Sequence, residues 1–548
     1  MLWLVPPPPV PTPAQTVAAA QTAVAPASTA ATAEAYFLFI QGRTLEGRGD
    51  VEAAIAAYRK AIELVPDAAD VRAELAGLYA REGRAAESIA EAEAALTTEP
   101  ANQEAHRILG FVRSALADNA PSREQQAAMV TQAIGHFELA LAEGARDPSV
   151  ELSLGRLYVR TAQFTKAIPT LQGFLNDQPG YSDGVLLLVE ALNATAQFAQ
   201  AVAVLEPLVR DEPELARART WLAEMYDRVG READALPHWA ELARTSPQDV
   251  ALRSRYATAL VNGGQLEKGR QELIDLTTDA PRDISAWYLL SQVETRAGHP
   301  EAADAAARRI SDIDSNDPRG PLALAESRAA QRDYRGAAAT LELLLAALRD
   351  QPAGAVYARV TMDLADVLEK DGDRGRAVRV LEDGRSRIPD DFELTHALAA
   401  AYVRNKQVGS AERVYRELLA QRAADALALN GLGYLLADQK KNLAEAVELV
   451  QRALKADPDN PAYLDSLGWA FVQQGKADEG RALLERAAAA VPTDSLVLHH
   501  LAESLFQLKR YRDAQAAWDR ALAGDRNGID VGEVTRRRDR AKELAGGV

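Results

Sequence analysis

Seven histidines are the residues of this chain best suited to metal or acid–base chemistry: His106, His136, His238, His299, His396, His499 and His500. A metalloprotease helix needs two histidines four apart with a glutamate beside the first, and other metal sites need similarly convergent His, Cys or carboxylate groups. None of the seven stands in such a pattern. The Gly475-Lys476 of "QQGKAD" lacks the rest of a phosphate-cradling loop, "NGLGYLL" lacks the last glycine of a dinucleotide turn, and no G-x-S-x-G elbow occurs. The sequence has no cysteine, which excludes disulfides, thiolate metal sites, a cysteine nucleophile and a lipid-bearing Cys. The expectation is a protein without catalytic residues, cofactor or metal. One recurrence points to recognition. Tyr434 follows Gly433 and Trp469 follows Gly468, 35 residues apart, each inside a stretch with helical character. Aromatic side chains offer a large contact area at low entropic cost, so a repeated aromatic can anchor a partner.

The 548 residues are more than one ordinary core supports, and 47% hydrophobic with 26% charged residues is a globular composition. A net charge of −17 argues against bulk affinity for nucleic acid or anionic membranes. No apolar run is long enough to cross a membrane as a helix. Residues 1–34 are rich in Pro, Ala and Thr and read as a disordered tether. Alternatively the apolar Met1–Val5 is the remnant of an export signal, which places the protein in the periplasm or cell envelope in preference to the cytoplasm.

From residue 35 onward, prolines supply a ruler. Pro66 and Pro100 are 34 residues apart; Pro179, Pro213, Pro247 and Pro281 follow at 34; so do the pairs Pro318–Pro352 and Pro458–Pro492. Within each period, small and large residues recur at helical spacing, as in Ala54, Tyr58 and Ala61 or Ala235, Trp239 and Leu242. Small residues let two antiparallel helices approach; the larger one fills the space toward the next unit; proline ends the second helix. Gly83, Gly230, Gly264, Gly298, Gly372 and Gly475 fall where the chain must turn between helices. The stretch "ALADNAPSREQQ" adds about 11 residues, to be met by a loop or by longer helices, and the unit between Pro318 and Pro352 lacks the central glycine.

Spacing, small residues, aromatics and proline together resemble the tetratricopeptide repeat (TPR), over about residues 35–528. The resemblance implies an all-α fold, a right-handed TPR superhelix of about fourteen helix-turn-helix units, with 529–548 as a capping helix. It also implies that the first helix of each unit lines a groove. There the small residue at position eight (Gly42, Gly110, Gly155, Gly433, Gly468) packs on the second helix, and position nine faces the groove. By that alignment Tyr434 and Trp469 face it, with Asn430, Asp465, Gln473, His499 and Glu503 nearby. Asn and Gln can hold an extended peptide by its amides. Two readings of the aromatics stand open: anchors for a peptide, or packing partners of neighbouring units. The segment from Leu432 to Gly475 is similar to one in bacterial TPR proteins, some of them outer-membrane lipoproteins and some adaptors that deliver substrates to proteases. The expected function is an interaction scaffold or adaptor that holds a peptide or protein; the alternative is a structural spacer of an envelope assembly. The basic run Arg536, Arg537, Arg538 and Arg540 reads as the solvated face of the capping helix.

Overall fold

The structure, a computed structural model, describes residues 29–352 and 354–546. Among them the chain is all α-helical, with 29 α-helices, one short 3-10 turn and no strand. The proline ruler marks the helix ends: the helices ending at Leu64, Thr98, Asp177, Asp211, Thr245, Asp279, Ala456 and Ala490 each stop two residues before one of the ruler prolines, and the one ending at Arg387 stops two before Pro389. Proline lacks the N–H and disfavours helical backbone in the residue before it, so the second helix of a pair cannot run on.

The chain divides into two compact units, 1–246 and 247–548. The first holds six antiparallel helix pairs, from Thr29–Gly47 to Glu232–Thr245. The opening helix starts at Thr29, so the last six residues of the expected 1–34 tether are helical; no proline follows Pro26 to prevent it. The rest of that segment lies outside the described residues. The extra length near Asn119 goes mainly into helix: Gln103–Asp118 and Arg123–Ala140 exceed the usual 13 and 14 residues. Leu109 and Phe137 of these longer helices are fully buried, Phe137 against Gly110 as Tyr58 is against Gly42.

The second unit holds eight pairs and a final helix, Val531–Gly546. The long interval from Pro281 to Pro318 does not mark a unit longer by three: the first helices begin 35 residues apart, at Ile284 and Arg319, and the connection after Ile313 is five residues where four are usual. The final helix buries Val534 and Ala541, closing the apolar side of the Tyr511–Ala523 helix.

The six turn glycines all have positive φ, from 72° to 91°. Ala162, Ala196, Arg332, Lys406, Lys440 and Lys509 hold the same left-handed conformation at the turns of other pairs. Two packed helices dictate the turn, and these side chains accept it at a cost.

Candidate functional site

The predicted residues lie on three first helices of the second unit: Ala426–Asp438, Pro461–Gln473 and Ser495–Gln507. Each begins with a side-chain cap. The Asp425 carboxylate accepts from Ala428 N at 3.0 Å, the Asn460 amide oxygen from Ala462 N at 3.0 Å, and Asp494 from Leu496 N and Val497 N, both at 3.0 Å. Close packing to the second helix fixes their rotation. A Cβ on Gly468 would stand 2.7 Å from Leu484 Cγ and 3.0 Å from Gly480 O; one on Gly433 would strike Val450. Only glycine permits that approach, and it turns the next residue onto the first-helix face.

Two columns of side chains result. Tyr434, Trp469, Glu503 and Arg537 succeed one another at 35, 34 and 34 residues, and Asn430, Asp465 and His499 at 35 and 34, with His500 beside the second series. Consecutive columns engage each other. The Trp469 indole stacks on the His500 imidazole, centroids 4.2 Å apart and planes at 14°. His500 Nδ1–H donates to the Asp465 carboxylate at 2.9 Å. The Tyr434 ring lies 6.1 Å from the His500 ring. Arg537 of the final helix donates to Glu503 Oε2 at 2.9 Å. Trp518 Nε1–H donates to His499 Nδ1 at 3.0 Å, so that nitrogen carries no proton.

Burial sets the electrostatics. Asp465 and Glu503 are 5% exposed, His500 1% and Trp469 9%. Burial raises the Glu503 carboxyl above the usual range, with Arg537 opposing it. Burial, with His500 and Arg537 as like charges, lowers His499 to about 3. Burial also raises the Tyr434 hydroxyl, so it remains a donor.

Asp465, Trp469, Glu503, Tyr434 and His499 are therefore brought into one network with His500, while Asn430 and Gln473 remain half-buried at its margin. Sequence reasoning passed over His500 and Arg537; the 34-residue step from Glu503 pointed to Arg537, whereas the same step from Asp465 leads to His499, one residue short of His500. The basic run is absorbed internally: Arg537 pairs with Glu503, Arg538 with Asp519 and Asp539, and Arg540 with Glu543.

The network is not fully satisfied. Asn430 Oδ1, Trp469 Nε1 and Glu503 Oε1 are buried without a hydrogen-bond partner. Beside Tyr434 and Asp465 lies a cavity of about 270 Å³, walled by Pro461, Ala462, Leu496 and Val497. Among the described residues no three His, Cys, Asp or Glu side chains converge as metal ligands. No described helix is long and apolar enough to cross a membrane.

Comparisons with known proteins follow the same segments. Family models described as tetratricopeptide repeat match residues 186–250 and 396–461, and 228–293; one described as TPR repeat matches 42–83. A model described as anaphase-promoting complex, cyclosome, subunit 3, matches 439–521. The TPR repeat-containing protein PA4667 of Pseudomonas aeruginosa is 33% identical over 139 residues, which are 25% of this chain and only 23% of that relative's length. Among solved structures, the APC/C hetero-tetramer Cut9-Hcn1 aligns over 93% of this chain and 97% of its own, at 13% identity and a TM-score of 0.37. Yeast Tom70 aligns over 88% and 95%, at 16% identity and the same TM-score of 0.37. Likeness at that level bears on neither partner nor site.

Proposed function

We propose that this chain, which belongs to the tetratricopeptide-repeat proteins, is an interaction scaffold that holds a peptide or protein segment along the first helices of its C-terminal pairs. The observation that carries the proposal is the cavity of about 270 Å³ beside Tyr434 and Asp465. Two residues singled out by their repeat positions line it, and its remaining walls are largely apolar. Such a recess accepts one apolar side chain of a partner, and the Tyr434 hydroxyl offers a polar contact at its edge. The Trp469–His500 stack meets this wall through the hydrogen bond of His500 to Asp465, which fixes one of the lining carboxylates before a partner arrives. The role is binding rather than catalysis: the Asp465–His500 pair is the arrangement nearest to a general base, and its imidazole is too deeply buried to meet a substrate. Delivery of a bound protein to a protease and residence in the cell envelope belong to the same proposal, on the resemblance of the 432–475 segment.

A second reading has its own support. Trp469, His500, Asp465, Glu503 and Arg537 use one another as partners, as in a spacer whose first-helix face is made to be stiff. The two readings separate on one experiment. Ala462 is exposed on the cavity wall, so Ala462→Trp fills the recess without entering the core. Affinity capture from native lysate with the intact chain, Ala462→Trp and Tyr434→Ala should give a dominant partner retained only by the intact chain. Equal retention by all three, with matching thermal melts, leaves the spacer reading.

A further inference from the structure

The buried apolar side chains of the second unit include two separate clusters, one from Ala257 to Ala306 and one from Ala325 to Ala541. At the break lies a cavity of about 360 Å³. It is enclosed by the first helices Ile284–Ala297, Arg319–Ala330 and Ala355–Lys370 and by the second helix Tyr334–Ala347. Its apolar lining comes from Leu322, Ala325, Ala329, Leu341 and Val367, and Tyr288 and Tyr334 add aromatic walls. The alanines leave the space: the three methyl groups of Ala325, Ala329 and Ala330 occupy a stretch of wall where longer side chains would close it.

The rim is charged, and its charges do not cancel. Arg359 Nε binds both oxygens of Asp363, at 2.8 and 2.7 Å. Lys370 Nζ binds Asp366 at 2.6 Å. Glu326 is exposed, lines the same cavity, and makes no ion pair among the described residues. Three carboxylates against two cations leave one negative charge, on Glu326. Its field reaches inward: the Tyr288 hydroxyl is raised by burial first and by Glu326 next.

We propose that this cavity takes an arginine or lysine side chain from a protein partner. The aliphatic stem lies against Leu322, Ala329 and Val367, and the cationic head meets Glu326 beside the tyrosine rings. An acidic side chain would find both cations already paired, and a purely apolar one would desolvate the Glu326 carboxylate with no return. The proposal is independent of whether the Tyr434 face binds anything.

The test uses the full chain and fluorescein-labelled pools of nonapeptides, randomised except for a central Arg, Lys, norleucine or Glu. Fluorescence anisotropy should give binding for the Arg and Lys pools that weakens with salt. The norleucine and Glu pools should bind at least about fivefold more weakly, and Glu326→Gln should cost the Arg pool about fivefold, the measure of one partly exposed ion pair. Ala330→Phe, from an exposed position on the same wall, should abolish binding while the circular-dichroism melt is unchanged. No binding of the Arg and Lys pools at millimolar peptide overturns the proposal. So does equal binding of the norleucine pool, or a Glu326→Gln chain that binds the Arg pool as the parent does.

Discussion

At Trp469 a first helix sets an indole 4.2 Å from the next pair's His500 ring, and the side chains around it are buried. At the corresponding position of the 319–330 helix stands Glu326, exposed at the edge of a cavity of about 360 Å³. Both regions use helix pairs of the same design. Side-chain volume and charge at two positions per pair decide between a wall and an opening. In the C-terminal pairs an aromatic, an imidazole and an ion pair to the last helix fill the first-helix face, leaving Asn430 Oδ1, Trp469 Nε1 and Glu503 Oε1 without partners. In the central pairs, alanines and short acidic side chains leave the space and one charge over.

The largest effect should come from removing the wall itself. Trp469→Ala should cost about 3–5 kcal/mol of stability in urea unfolding, the usual range for deleting a buried large aromatic. Ala330→Phe in the central region should stay within about 0.5 kcal/mol, as surface substitutions do. Similar losses for the two variants would break the comparison.

Next come the charges. Arg537→Met leaves the Glu503 carboxylate buried and unpaired, which should cost about 1–3 kcal/mol at neutral pH. Glu503 already titrates above the ordinary range, so its folded form binds a proton more readily than its unfolded form. The penalty should therefore shrink as the pH falls toward the ordinary carboxylate range. Urea midpoints of parent and variant at several pH values check this; a penalty that grows on acidification refutes it.

His499 gives the opposite slope. Its folded value is about 3 against an ordinary 6.5, so between these the unfolded chain binds the extra proton. Its contribution is intact above pH 6.5 and is lost progressively down to about pH 3. His499→Gln keeps an acceptor for Trp518 and does not titrate. Its pH–stability curve should be flatter than the parent's over that window, and hydrogen exchange should place the difference in residues 495–537 rather than 284–370.

The smallest change tests the turns that both regions share. Lys440 and Arg332 are exposed, with φ of 53° and 64°. Glycine relieves the left-handed strain while adding unfolded-state freedom, so Lys440→Gly and Arg332→Gly should each stabilise by about 0.5–1 kcal/mol. A gain in one region and a loss in the other would mean that the turns are not equivalent.

Much of the fold was legible because proline and glycine act locally. A proline two residues past a helix end, or a glycine at φ of 80° such as Gly475, announces itself without knowledge of any partner. The turns at Ala196 and Lys509 did not, since there the conformation is imposed by packing between helices. The candidate site was half legible. Repeat position put Tyr434, Trp469 and Asp465 on one face, but not how deeply neighbours bury them, because burial depends on the next pair's side chains. His500 was not recoverable by the repeat, because the 34-residue step from Asp465 leads to its neighbour His499. The central cavity was harder to find, since its signal is missing volume at Ala325, Ala329 and Ala330, and alanine in a helix looks like ordinary helix-forming sequence.

The one residue added between the first helices that begin at Ile284 and Arg319 sits in the connection after Ile313. That arrangement bears on how such a gene can change. A duplication or deletion of one whole 34-residue period restores every helix position to its phase, whereas slippage by a few codons is harmless only where a loop absorbs it. The connection after Ile313 is such a place. The turn between Asp438 and Leu443 is another, since the first helices at Ala426 and Pro461 are also 35 residues apart, so the Glu326 and Trp469 regions both take up an added residue outside their helices.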